Sequence, residues 1–189
     1  MTSGCTVGRV VVLNGASSSG KSTIAHAVQR LSADPWLHLG VDAFVDGLGR
    51  RWLDDVVVWE GERPRALPLA FQIASAMRAA VAGAARSGVN VISDDLFLDR
   101  SWERGWRAAL SGLPALVVAV DADPADLDAR ERRRGDRIDG VARRQLAVVH
   151  DGVAYDLRVD TSRSSPDECA QAILEGRRAR RPGTGQSSQ

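Results

Sequence analysis

Nine consecutive residues, Gly15, Ala16, Ser17, Ser18, Ser19, Gly20, Lys21, Ser22 and Thr23, open on the spacing GxxxxGK followed by Ser. Glycines at both ends of such a stretch let the backbone curl so that successive N–H groups face one anion. A helix starting near the lysine adds its positive N-terminal end. The anion this suits is a nucleoside triphosphate, with the Lys21 ammonium reaching the β- and γ-phosphates and the Ser22 hydroxyl on Mg²⁺. A nucleoside triphosphate with Mg²⁺ is therefore expected. Residue usage points the same way: of 25 basic residues 24 are arginine, and Lys21 is the only lysine. A compact ammonium on a flexible stem fits among backbone amides where a planar guanidinium does not. The chain has no GxGxxG run, which argues against dinucleotide binding.

Holding phosphates transfers nothing; an acceptor hydroxyl must also lose its proton. Asp42 is the candidate base, expected at the carboxyl end of the second strand on the same sheet edge as the glycine loop. A carboxylate so placed is worth about 10²- to 10⁴-fold in rate. The plainer reading makes Asp42 the cap of a helix beginning at Ala43. Asp94 and Asp95 end the third strand, where an acid commonly holds the metal. Neighbours on a strand face opposite sides, so one serves the metal and the other faces the acceptor or caps the next turn. Surface solvation is the plain alternative for both.

Arg130, Arg132, Arg133, Arg134 and Arg137 crowd a helix end that Gly135 breaks. They read as a lid over about residues 130–145 whose arginines neutralise a transferring phosphoryl group, or more simply as a solvated helix face. Asp160-Thr161-Ser162 falls beside the adenine in this arrangement, or forms a turn with an Asp cap. Trp52 and Trp59 lie in the least regular interior stretch, Gly49 to Pro68, and would give the acceptor an aromatic wall.

The elements that must position these groups follow from periodicity. Arg9–Leu13, Trp36–Val41, Val89–Ser93, Leu116–Val120 and Tyr155–Val159 read as strands. Helices are expected over Thr23–Leu31, from Asp42 through Leu48, over Leu67–Arg86 with Gly88 closing it, from Ser101, from Pro124, up to about His150, and from Pro166 to about Arg178. Apolar strands alternating with helices make an α/β fold, a three-layer sandwich around a five-stranded, mostly parallel sheet. Residues 1–175 form one domain, and 176–189 a basic tail expected to be disordered.

Composition removes other classes. The 189 residues suit one soluble domain, and the longest apolar run, Leu113–Val120, is too short to cross a bilayer. No secretory signal is visible, and two cysteines, Cys5 and Cys169, make neither a disulfide scaffold nor a zinc site. A cytoplasmic protein is expected. The tail carries four arginines and no acid, leaving the body 21 basic against 24 acidic residues, or −3, a poor platform for nucleic acid.

Taken together, LNGASSSGKS (Leu13–Ser22), PWLHLGVD (Pro35–Asp42), ISDDLFL (Ile92–Leu98), RGDRIDGVA (Arg134–Ala142) and VVHDGVAYDLRVDT (Val148–Thr161) resemble the chloramphenicol phosphotransferase family of P-loop kinases. The resemblance spans most of the chain up to about Ala172. It implies ATP- and Mg²⁺-dependent transfer of the γ-phosphate to a hydroxyl of a small molecule, an antibiotic in the founding case. By this resemblance Asp42 is the catalytic base, Lys21 the phosphate-loop lysine, and Arg134 and Arg137 the lid arginines. Asp95 then faces the acceptor, which leaves Asp94 with Ser22 for the metal. Residues Asp46–Pro68 depart from the family on the acceptor side. Two other readings share these features: a zeta-toxin-like kinase of a nucleotide sugar, and a module that binds nucleotide and transfers nothing.

Overall fold

The computed structural model describes residues 6–49, 51–52, 56–60, 63–134 and 140–179; at 59, 63, 134 and 177–179 it describes the backbone alone. Among the described residues there are seven strands: β1 (Val10–Asn14), β2 (Trp36–His38), β3 (Val57–Glu60), β4 (Arg63–Ala66), β5 (Asn90–Asp95), β6 (Ala115–Asp121) and β7 (Leu157–Asp160). Between them run α1 (Lys21–Leu31), α2 (Val41–Asp46), α3 (Pro68–Arg86), α4 (Arg100–Ala109), α5 (Pro124–Arg134), α6 (Val141–Leu146) and α7 (Pro166–Ala179).

Five strands form one parallel sheet in the order β2-β5-β1-β6-β7. The middle strand, β1, is buried along its whole length, as an uninterrupted VVVL run requires when both faces are covered. Alternation then sorts the core. Val11 and Leu13 join Ile24 and Val28 of α1 and Ile173 of α7 on one face. Val10 and Val12 meet Met77 and Val81 of α3 and Trp106 of α4 on the other. Met77, Val81 and Trp106 are fully buried, and burying a side chain such as Met77 or Val81 contributes about 1.5–3 kcal/mol. A third, smaller cluster packs Leu127 of α5 and Ala142 of α6 on Ala16 of the glycine loop.

Three expectations change. The stretch 49–68, which shows no period in sequence, contains an antiparallel hairpin of β3 and β4 apart from the main sheet. Strands of four residues are too short to display alternation, and Pro64 is tolerated because such a ribbon is all edge. The second strand ends at His38, and Asp42 sits inside the first turn of α2. Gly40 is the N-cap of that helix, so Asp42 is not the capping residue. At the other end α7 extends through Ala179, into the stretch assigned to the tail; residues 180–189 lie outside the described residues.

Candidate functional site

The turn between β1 and α1 builds a cradle. Gly20 caps α1 in the left-handed region, φ +92°, with no side-chain cap, so the first N–H groups of the helix keep no partner from a capping side chain. Ser18 also has positive φ, +60°, a conformation costly for a residue with a Cβ. Gly15 is there for space: a Cβ on it would lie 2.5 Å from the Val120 carbonyl oxygen and 2.8 Å from Ser19 Oγ. The hydroxyls of Ser17, Ser18 and Ser19 are buried without a hydrogen-bond partner. Orphaned buried donors are expensive unless a ligand completes them, and phosphate oxygens do. Lys21 Nζ donates to the carbonyls of Gly15 (2.8 Å) and Ala16 (2.9 Å), which holds the ammonium over the loop.

The loop opens on a cleft of about 580 Å³ whose wall includes Ser17, Lys21, Ser22, Asp42, Asp94 and Arg130. Asp94 comes from the end of β5, and it is 8% exposed. Ser22 Oγ donates to its Oδ2 at 2.8 Å, and His38 Nε2 lies 2.8 Å from its Oδ1. Burial alone would raise this carboxyl, but the bonds from His38 and Ser22, with the charges of His38 and Lys21, outweigh it and hold Asp94 below the usual carboxylate range. Among the described residues no cluster of three His, Cys, Asp or Glu side chains could hold a metal by itself. Mg²⁺ takes one or two protein ligands and completes its shell with phosphate and water. Ser22 and Asp94 fit that part.

Asp95 goes the other way. It is 1% exposed, accepts from Trp106 Nε1 (2.7 Å) and from its neighbour's backbone at Leu96 (2.7 Å), and is absent from the described wall of the cleft. Burial pushes its carboxyl above the usual range, against those bonds and the charges of Arg78 and Lys21. Strand alternation separates the pair as expected, but Asp95 is spent under α4. Trp52 is 43% exposed beneath the Arg51 guanidinium, 5.0 Å from its ring centroid, and is not among the cleft's described lining. Trp59 lies on β3, its side chain outside what is described. Arg134 ends α5 with only its backbone described, and Arg137 lies outside the described residues.

Arg130 and Arg133 of the same arginine run do line the cleft. Arg130 donates through Nη1 to Thr161 Oγ1 (2.9 Å) and through Nη2 to the Thr161 carbonyl (2.9 Å). Thr161 Oγ1 in turn lies 2.9 Å from the Ser19 carbonyl, so α5, the end of β7 and the loop are tied together. Gln145 of α6 was not singled out by sequence, yet its Oε1 accepts from Ser17 N at 2.6 Å in a buried bond. His38 was missed as well; its signal was the parallel pairing of β2 with β5, which sets His38 opposite Ile92 and near Asp94.

A phosphate cradle on a parallel sheet in this strand order, roofed by arginines, defines a P-loop protein of the kinase type. Solved structures share the fold. The APS kinase of Mycobacterium tuberculosis, solved with AMPPNP and APS, superposes with a TM-score of 0.67 at 19% identity over 90% of this chain and 97% of that one. A gluconokinase from Sinorhizobium meliloti 1021 gives 0.61 at 22% over 92% and 93%. The tunicamycin resistance protein of Deinococcus radiodurans gives 0.64 at 18% over 89% and 94%. In sequence, a Mycobacterium tuberculosis (strain H37Rv) protein provisionally named an O-phosphotransferase is 30% identical over 91% of this chain and 83% of its own. The profile of the chloramphenicol phosphotransferase-like proteins matches residues 8–178, and the chain belongs to that family.

Proposed function

We propose that the protein moves the γ-phosphate of ATP to a hydroxyl of a small molecule, with Asp42 as general base. One observation carries the reading: the wall that holds the glycine loop, Ser22 and Asp94 also contains Asp42. The loop amides, the three serine hydroxyls and Lys21 hold the triphosphate. Ser22 and Asp94 would hold Mg²⁺, which would supply neutralisation of phosphate charge. The acceptor oxygen bonds to the γ-phosphorus, the bond to the bridging oxygen breaks to release ADP, and the hydroxyl proton passes to Asp42. By the family resemblance Arg134 and Arg137 neutralise the transferring group, and Arg130 and Arg133 line the cleft. Among the described residues no helix is long and apolar enough to span a membrane.

Coupled ADP release over amphenicols, other hydroxylated antibiotics, nucleosides and nucleotide sugars tests the acceptor class. Asp42→Asn is expected to lower acceptor-stimulated turnover about 10²- to 10⁴-fold while binding of a fluorescent ATP analogue changes little. Unchanged turnover removes Asp42 as the base.

A further inference from the structure

A second cleft, of about 620 Å³, has no described lining residue in common with the first but draws on two of the same segments. The segment after β5 gives Leu96 to the first cleft and Leu98 to Ser101 to the second. The α6 helix gives Gln145 to the first, and the turn after it gives Ala147 and Val148 to the second. The remaining sides come from the hairpin, α3 and α4. An acceptor lying here therefore runs along the same two elements that reach the phosphate loop.

The lining carries three guanidinium groups, and their partners differ. Arg65 is paired with Glu60. Arg100 and Arg104 stand one turn apart on α4, on one helix face. Among the described residues neither has a carboxylate within ion-pairing distance. Of the two acids in the lining, Asp99 is committed to capping α4 through Ser101 N (2.6 Å), and Asp151 is exposed on the turn opposite. Both arginines are exposed, and Arg100 lies against the backbone of the turn before β7. Gly152 has φ +64°, and a Cβ there would lie 1.9 Å from Arg100 Nε and 2.2 Å from its Nη2. The guanidinium thus lies against backbone that only glycine leaves bare. Beside these cations Phe71 is 45% exposed while its ring rests 5.0 Å from that of Trp102.

We propose that this cleft holds the acceptor, and that the acceptor is an anionic alcohol. Arg100 and Arg104 grip its phosphate, sulfate or carboxylate, and Phe71 covers its flat or apolar part. Two like charges one turn apart repel, and an oxyanion between them removes that cost while matching the fork geometry of guanidinium. A neutral acceptor leaves both cations without a partner. The inference rests on the phosphotransferase reading and names the acceptor class that reading leaves open.

The test uses matched pairs: nucleosides against their 5′-monophosphates, and sugars against the sugar phosphates, sulfates and acids. Calorimetric titration into protein saturated with AMPPNP and Mg²⁺ keeps the phosphate loop filled, and ADP release with ATP follows turnover. The anionic members of at least one pair type are expected to bind about tenfold or more tighter than their neutral partners, and Arg100→Ala and Arg104→Ala each to remove about tenfold of that affinity. AMPPNP affinity and the acceptor-independent ATP hydrolysis should not move. Neutral members binding as well as anionic ones, no binding by any anionic member, or wild-type affinity in the double arginine variant each overturns the proposal. Arginine-dependent anion binding with no ADP release from any member overturns the phosphotransferase reading instead and leaves the anion site standing.

Discussion

A single methyl group at residue 40 is enough to disturb the metal wall of the cleft. A Cβ built on Gly40 lies 2.1 Å from Asp94 Oδ1, so alanine there must push the carboxylate off His38 and Ser22. Gly40→Ala is expected to cost about 1–3 kcal/mol, the range for breaking buried charge-assisted bonds, as read by urea unfolding. It should also raise the Mg²⁺ concentration needed for half-maximal ADP release. Gly83, on α3, is the control: nothing lies within 4 Å of its Cβ position. Gly83→Ala should stabilise the protein by about 0.5–1 kcal/mol through helix propensity. Stability loss at 40 without a change in Mg²⁺ dependence would separate Asp94 from the metal. The neighbouring Asp95 shows how narrowly residue identity is read: the same side chain one position on is buried on Trp106, beyond the reach of the cleft.

At the scale of elements, the loop is held less by its own strand and helix than by what crosses it. Ala16 is buried under α5 and α6, Arg130 of α5 reaches Thr161, and Gln145 of α6 holds Ser17 N. Gln145→Ala leaves a buried N–H without an acceptor, a loss of about 1–3 kcal/mol. If the loop loosens with it, ATP affinity falls by up to about tenfold, measured with a fluorescent analogue. Gln145→Glu, which keeps an oxygen at that position, should restore much of it. A fall in stability alone, with ATP affinity intact, would make Gln145 a structural tie only. These crossings explain what sequence could and could not disclose. The glycine loop, the five parallel strands and their helices were legible because motif spacing and apolar period are local. The hairpin of β3 and β4 was not, since four-residue strands carry no readable period. Gln145 and His38 were not either, because each acts through a contact made by packing far along the chain. Asp95 was assigned to the acceptor by resemblance, and only the Trp106 side chain, eleven residues away on α4, reveals where its carboxylate goes.

Over the whole molecule, the carboxyl edge of the sheet also carries a partly buried polar network, and one member of it is a histidine whose pKa burial lowers. Asn14, the last residue of β1, accepts from Phe97 N (2.9 Å) and donates to the Val149 carbonyl (2.8 Å) and to Tyr155 Oη (2.6 Å). Tyr155 Oη lies 2.7 Å from His150 Nδ1, so β1, the segment after β5 and the turn before β7 share one hydrogen-bonded chain. Burial pushes the Tyr155 hydroxyl up to about 12, and it stays protonated at any working pH. Burial pushes the His150 imidazole below its usual value; Asp121, whose Oδ1 is 3.4 Å from Nε2, opposes this, and Arg158 and Lys21 add to it. Arg158 already occupies Asp121 through bonds of 3.0 and 2.7 Å, which limits what Asp121 can do for a protonated His150. A histidine depressed in the folded state is neutral there while the unfolded chain takes up a proton. Its contribution is therefore fully present above the unfolded value near 6.5 and is lost as pH falls from there through the folded value. Each unit of depression corresponds to about 1.4 kcal/mol. Urea midpoints for the wild type should drop between pH 7.5 and 5.5, and His150→Gln, which cannot titrate, should show a smaller drop over the same interval. Parallel curves for the two proteins would mean that the acid sensitivity of the fold arises elsewhere, and that protonating His150 leaves the chain from Asn14 to Tyr155 intact.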